Sequence, residues 1–142
     1  MKIEGLEEVS KQLEKLGNAT SGRVVRQAVG FAVTPVVKEA RRRAPVGDRI
    51  RKNYKGRLLV PGNLSRSIRK GTFKSKSGLY ARASVGAQHH AFYGPAFVEK
   101  GVRGKARVEP NKFLSDSFAA KHEEMKRRFA SKLRKAIDKV SK

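Results

Sequence analysis

Residues 61–73, PGNLSRSIRKGTF, mark the point where the chain changes its period. Before them, apolar residues recur at helical spacing, and after them they alternate as strands do. Pro61-Gly62 has the composition of a turn. Asn63 is a candidate cap for a short turn through Leu64, Ser65 and Arg66. Ile68 to Phe73 then reads as a short strand, weakened by Gly71. A chain that passes from helix to strand at such a junction, and returns to helix later, is predicted to be α+β.

On the N-terminal side, Val24, Val25, Ala28, Phe31, Ala32, Val36, Val37 and Ala40 give a second helix a broad apolar face, with Thr20 or Ser21 available to cap it. Pro35 lies within that run and predicts a kink or break, because proline removes a ladder hydrogen bond and clashes with the preceding turn. Pro45 predicts that the helix ends near Ala44. Ahead of it, Ile3, Leu6, Val9, Leu13 and Leu16 form one face of a first helix, and Gly17-Asn18 stops it. Between Asp48 and Pro61 there is no clear period, and the segment reads as an extended loop or a hairpin.

On the C-terminal side, Leu79 to Val85 alternates, with Leu79, Ala81, Ala83 and Val85 on one face and Tyr80, Arg82 and Ser84 on the other. The connection before it, KSKSG, has turn composition. Ala91 to Val98 is apolar and aromatic, and Gly94-Pro95 within it predicts an edge strand, a bulge or a sharp bend. From about Asn111 the helical period returns. Leu114, Phe118, Met125, Phe129, Leu133, Ile137 and Val140 form one stripe, on a helix roughly 40 Å long if unbroken. The expected architecture is a small antiparallel sheet packed by an N-terminal helix, a long kinked second helix and a long C-terminal helix. Its 142 residues suit a single domain, 1–142, with a basic loop insertion at about 48–61.

The charge is extreme and uneven. The formal net charge is +22. Residues 1–48 hold nine bases and six acids, residues 49–98 eleven bases and no acid, and residues 99–142 fourteen bases and six acids. Half of the excess therefore sits in the middle third, where it would draw polyanions and repel itself. Arg49, Arg51, Lys52, Lys55, Arg57, Lys74 and Lys76 are the candidate contacts to DNA or to an acidic partner, set against the plainer reading of a solvated basic loop. Tyr54, Phe73 and Tyr80 are too few to serve as stacking platforms for a single strand. No helix-turn-helix, zinc-finger or RNP signature accompanies them, so DNA, if touched, is touched as a charged rod.

Other chemistries find little support. There is no cysteine, which excludes disulfides and thiolate metal sites. His89-His90 would point to opposite faces of a strand, and His122 is the only other histidine, so no metal site is expected. No nucleophile elbow, triad order or phosphate loop is present, and Gly101-Val102-Arg103-Gly104-Lys105 lacks the Ser or Thr and the spacing of such a loop. Neither catalysis nor a cofactor is expected. The acidic, amphipathic N-terminus is unlike a signal peptide, and no apolar run approaches the ~20 residues of a membrane helix. Cytoplasm, or a particle assembled there, is the expected setting.

Several pieces stand in a suggestive order: IEGLEEVSKQLEKL, then a helix ending in VVKEARRRAPV, then PGNLSRSI, then FYGPAFVEKG, then PNKFLSDSF opening the last helix. The order resembles the small neck or tail-completion proteins of long-tailed bacteriophages, a family of minor tail components, and the resemblance spans nearly the whole chain. Gly62, Leu64, Ser67 and Ile68 match that family's T-G-x-L-x-x-S-I motif, with Pro61 in place of Thr. Phe97, Glu99 and Gly101 match its strand end, with Lys100 and Val102 as departures. Phe113, Leu114 and Phe118 match its final helix start. The resemblance implies a non-enzymatic virion protein at the head–tail junction, assembled in the host cytoplasm. It would form a ring, sixfold to match the tail, against head-closure, tail-terminator or tail-tube proteins and packaged double-stranded DNA. Glu99 would be a candidate for an ion pair with a nearby Arg, or else a surface carboxylate of little consequence. The other reading is a free, sequence-nonspecific nucleic-acid-binding protein.

Overall fold

A computed structural model describes residues 11, 18–52, 56, 58–74, 80–87, 101 and 110–140. The fold is α+β. Helix α1 spans Asn18–Ala32 and α2 spans Thr34–Arg43. A short hairpin follows, β1 (Arg51–Lys52) and β2 (Leu58–Leu59), paired antiparallel with Arg51 opposite Leu59 and Lys52 opposite Leu58. Next come the five-residue helix α3 (Asn63–Ser67), the strands β3 (Ile68–Lys74) and β4 (Ala81–Ala87), and the long helix α4 (Phe113–Val140). β3 and β4 pair in a second two-stranded sheet. A six-residue connection is too short for a parallel crossover, so that pairing is antiparallel as well.

The break predicted at Pro35 is present. α1 ends at Ala32, Val33 is a turn residue whose N–H still reaches the Val29 carbonyl at 3.2 Å, and α2 starts at Thr34. Pro35 sits in the first turn of α2, where a missing N–H costs no ladder bond. α2 ends one residue short of Ala44, whose N–H closes the last turn on Ala40 at 2.8 Å. The segment predicted as a loop or hairpin is the β1–β2 hairpin. The strand expected over 79–85 runs over Ala81–Ala87, and its expected faces hold: Ala81, Ala83 and Val85 are partly buried while Arg82 and Ser84 are exposed. The first-helix face at residues 3–16 and the strand at 91–98 lie outside the described residues.

The chain forms two compact units. One comprises Met1–Thr34, Gly71–Ser84 and Glu123–Lys142. It buries Ala28, Ala32 and Val33 with Leu133 and Ile137, pairs spaced to share one face of their own helices. Gly30 is placed where α1 meets β3: a Cβ there would lie 2.9 Å from the Thr72 methyl, so a larger residue would require the Thr72 side chain to shift. The half-exposed Phe31 ring holds the Arg128 guanidinium at 5.1 Å and the Lys132 ammonium at 5.7 Å, one helical turn apart on α4.

The other unit comprises Pro35–Lys70 and Val85–His122. Its core joins Val37, Ala40 and Ala44 to Ile68 and Phe113, with Leu64, Val85 and Leu114 packed against them. Ile68 is fully buried and Phe113 nearly so. One expectation fails here. Phe118 is not on the buried stripe of the last helix but 48% exposed, tilted against His122 with ring centroids 6.0 Å apart. Phe113 and Ser117, four residues apart, hold the buried positions, and the Ser117 hydroxyl satisfies itself on the Phe113 carbonyl. Phe113 opens the helix and sets its rotation, so a phenylalanine five residues on points about 140° away from it.

Two substitutions on α4 should therefore differ sharply. Phe113→Ala should destabilise the protein by about 3–5 kcal/mol, and Phe118→Ala by less than about 1 kcal/mol, read as a shift in denaturant midpoint.

Candidate functional site

The most specific sequence motif, residues 61–68, folds as a turn followed by one helical turn. Val60-Pro61-Gly62-Asn63 closes with the Asn63 N–H on the Val60 carbonyl at 3.0 Å. Gly62 has φ 76° and ψ 3°. Those values are the third position of a type II turn, which wants proline before it and glycine in it. Gly62 is also the N-cap of α3, and its carbonyl accepts the Arg66 N–H at 3.1 Å. Asn63, expected as the cap, is instead the first helical residue, and no side chain caps this end. Leu64 packs on the core, and the buried Ser67 hydroxyl donates to the Leu64 carbonyl at 2.7 Å. Ile68 ends the helix and starts β3.

Two side chains that the sequence did not single out for a role tie this motif to α2. The Arg41 guanidinium donates twice to the Ile68 carbonyl, from Nε at 3.0 Å and Nη2 at 2.8 Å. In return, the Ser65 hydroxyl donates to the Arg41 carbonyl at 2.8 Å. That carbonyl is one of the four at a helix C-terminus with no partner inside the helix. The arginine therefore serves the strand while its own backbone is served by α3. The sequence signal was the run of three arginines at 41–43, cations in the last turn of a helix before a proline.

Arg42 and Arg43 do something else. Both grip Glu39, Arg42 through a bidentate contact and Arg43 through Nε at 2.6 Å. Hydrogen bonds from Arg42 first, then Arg43, lower the Glu39 pKa from 4.5 to about 2. Asp48 meets Arg49 at 3.5 Å with both side chains largely exposed, an ion pair worth little. Lys38, Lys52 and Arg69 are exposed and make no ion pair among the described residues.

Of the candidate contact residues, Arg49 and Lys52 are exposed. Arg51 and Lys74 lie in β1 and β3, with their side chains outside the description. Lys55, Arg57 and Lys76 lie outside the described residues, as do Phe97 and Glu99. Gly101 is described, with φ 71°, a left-handed backbone that accounts for glycine in the motif. The motif residues Leu64, Ser67, Ile68, Phe113 and Leu114 are brought together around one core, and Phe118 is not.

Residues 7–101, two thirds of the chain, match the family described as "Bacteriophage HK97-gp10, putative tail-component". The chain belongs to this family of phage tail components. The match contains the Gly62–Ile68 junction and ends at Gly101, so Phe113, Leu114 and Phe118 lie beyond it. No match was found among curated proteins or solved structures. No helix among the described residues is long and apolar enough to cross a membrane, and no group of three metal-ligating side chains occurs among them. His89 and His90 lie outside the described residues.

Arg41→Met should cost about 1–3 kcal/mol, because it leaves the Ile68 carbonyl without its charged donor, and Ser65→Ala about 0.5–1 kcal/mol. The two losses should not add in a double-mutant cycle by denaturant titration. Glu39 carries a depressed pKa in the folded state. Its contribution is therefore complete above pH 4.5 and disappears as the pH falls through about 2. Stability of Glu39→Gln against pH should lack that part of the acid loss across this window.

Proposed function

We propose that this protein is a structural component of the phage head–tail junction, acting as one neck or tail-completion domain over residues 1–142. Copies form a ring, sixfold to match the tail. The ring stands between head-closure proteins on one side and tail-terminator or tail-tube proteins on the other. The basic segment at 48–61 faces packaged DNA or an acidic neighbouring ring. Family membership over residues 7–101 carries this reading.

The charge supports it on physical grounds. A protein of net charge +22 is self-repelling in isolation and is relieved beside a polyanion. With 34 bases against 12 acids, pairs such as Glu39 with Arg42 and Arg43 or Asp48 with Arg49 neutralise only a small part of it. The exposed cations Lys38, Lys52 and Arg69 belong to the unit that carries the family motif. Neck assembly calls for position rather than turnover, so no catalytic group is assigned.

The same charge favours a second reading, a free protein that binds nucleic acid without sequence preference. Salt separates the two. A monomer that binds random duplex tightly, with log K falling by about 0.9 per phosphate contact per decade of salt, supports the second reading. Weak binding by the monomer, with assembly only beside other tail components, supports the first.

Charge reversal at Arg51, Lys52 and Lys55 should block head–tail joining while thermal unfolding of the isolated protein stays as in the wild type. Complementation of a phage lacking this protein measures it, and full infectivity of the triple variant would overturn the proposal.

A further inference from the structure

Eight large apolar side chains stand exposed among the described residues, and four of them fall within residues 46–60. Val46, Ile50, Leu58 and Val60 are 65, 64, 60 and 42% exposed. Single exposed apolar residues are ordinary, but Ile50, Leu58 and Val60 lie in or next to the strands of one hairpin, and such a grouping marks a contact surface. The exposed cations Arg49 and Lys52 are interleaved with them, and Lys52 stands opposite Leu58 in the ladder. A surface made only for phosphate would need cations and N–H donors, and leucine or isoleucine would gain nothing there. Apolar side chains among cations fit a partner that is amphipathic and acidic.

The chain's own sequence holds one stretch of that chemistry. Glu39, Asp48, Glu123 and Glu124 are each paired with a cation close by in sequence. Within residues 3–9, Glu4, Glu7 and Glu8 lie among Ile3, Leu6 and Val9 with no cation between them. We infer that the 46–60 segment receives the acidic N-terminal segment, residues 1–17, of the neighbouring copy, which rests on the ring reading above but makes that copy, in place of DNA or a second ring, the acidic partner of this surface. The contact is heterologous, one surface meeting a different one on the next copy, and repetition of it closes a ring. Carboxylates Glu4, Glu7 and Glu8 meet Arg49 and Lys52, and the leucine face covers Ile50 and Leu58.

Sedimentation velocity on the full chain, alone and with the other tail components, over a range of concentrations and salt tests this. Each variant is melted in parallel, which checks folding, and all the hairpin substitutions are at exposed positions. Ile50→Ser with Leu58→Ser should weaken self-association at least about tenfold. Arg49→Glu with Lys52→Glu should weaken it similarly, and adding Glu4→Lys, Glu7→Lys and Glu8→Lys to that variant should restore most of the loss. If wild type and hairpin variants assemble alike, the docking inference fails and the ring reading stands. A wild type that stays monomeric at every concentration, alone and with tail components, overturns both. If the hairpin variants lose duplex DNA affinity but not assembly, the hairpin faces DNA and the inference fails. If the charge swap restores melting temperature in a monomer without affecting association, the segment folds onto its own hairpin, which also overturns it.

Discussion

The Ile68 carbonyl is where helix ends and sheet begins, and it takes two N–H bonds from Arg41. A carbonyl at a strand's first residue, beside a fully buried side chain, cannot be left without a donor at small cost. Water cannot serve it as a planar guanidinium does, with two donors fixed in one plane. The reverse bond from Ser65 to the Arg41 carbonyl closes a cycle between the end of α2 and the turn of α3. The rest of that unit follows. With the end of α2 tied to the start of β3, Ala40 and Ala44 face Ile68 and Phe113, and small alanines leave room for the two larger side chains. The type II turn before α3 sets the entry angle, which is why its third residue is a glycine.

The three arginines that end α2 show how one run of like charge divides its tasks. Arg41 turns inward to a backbone carbonyl, while Arg42 and Arg43 share Glu39. The run therefore spends most of its charge at home and leaves little for a partner. The contrast with Lys52 and Arg69, exposed and without ion pairs among the described residues, matters for function. A count of cations overstates the electrostatic surface, because local geometry removes some of them. The exposed cations that keep no ion pair among the described residues include Lys52 and Arg69 and, on α4, Arg127, Arg134, Lys135 and Lys139.

Periodicity made the helices legible, and the break at Pro35, the stop before Pro45 and the alternating faces of β4 all follow from local rules. The hairpin over 51–59 stayed open between two readings, because strands of two residues carry no period to detect. Phe118 was misplaced for a related reason. The stripe read from the sequence held Leu114 and Phe118 and left out Phe113, the one that is fully buried. Which of them is buried depends on the helix's rotation, set by tertiary packing around Ile68. The motif residues were found by their order in the chain, but the partners that hold them were not. Arg41 and Ser65 act over 27 and 24 residues of sequence, and no local pattern encodes a bond of that range.

The buried junction and the exposed hairpin both lie in the family match, but packing constrains them differently. Leu64, Ser67 and Ile68, all inside the matched stretch, lie in or against the core, where they can fix a fold but cannot meet another protein. The hairpin also lies within that stretch, yet its described side chains are exposed apart from the half-buried Leu59. A change at Ile68 must be absorbed by Phe113 and Ala40, so it acts on stability first. A change at Leu58 or Lys52 touches nothing in the core and leaves the fold free to remain as it is. Packing therefore constrains the buried junction and leaves the exposed hairpin free to vary.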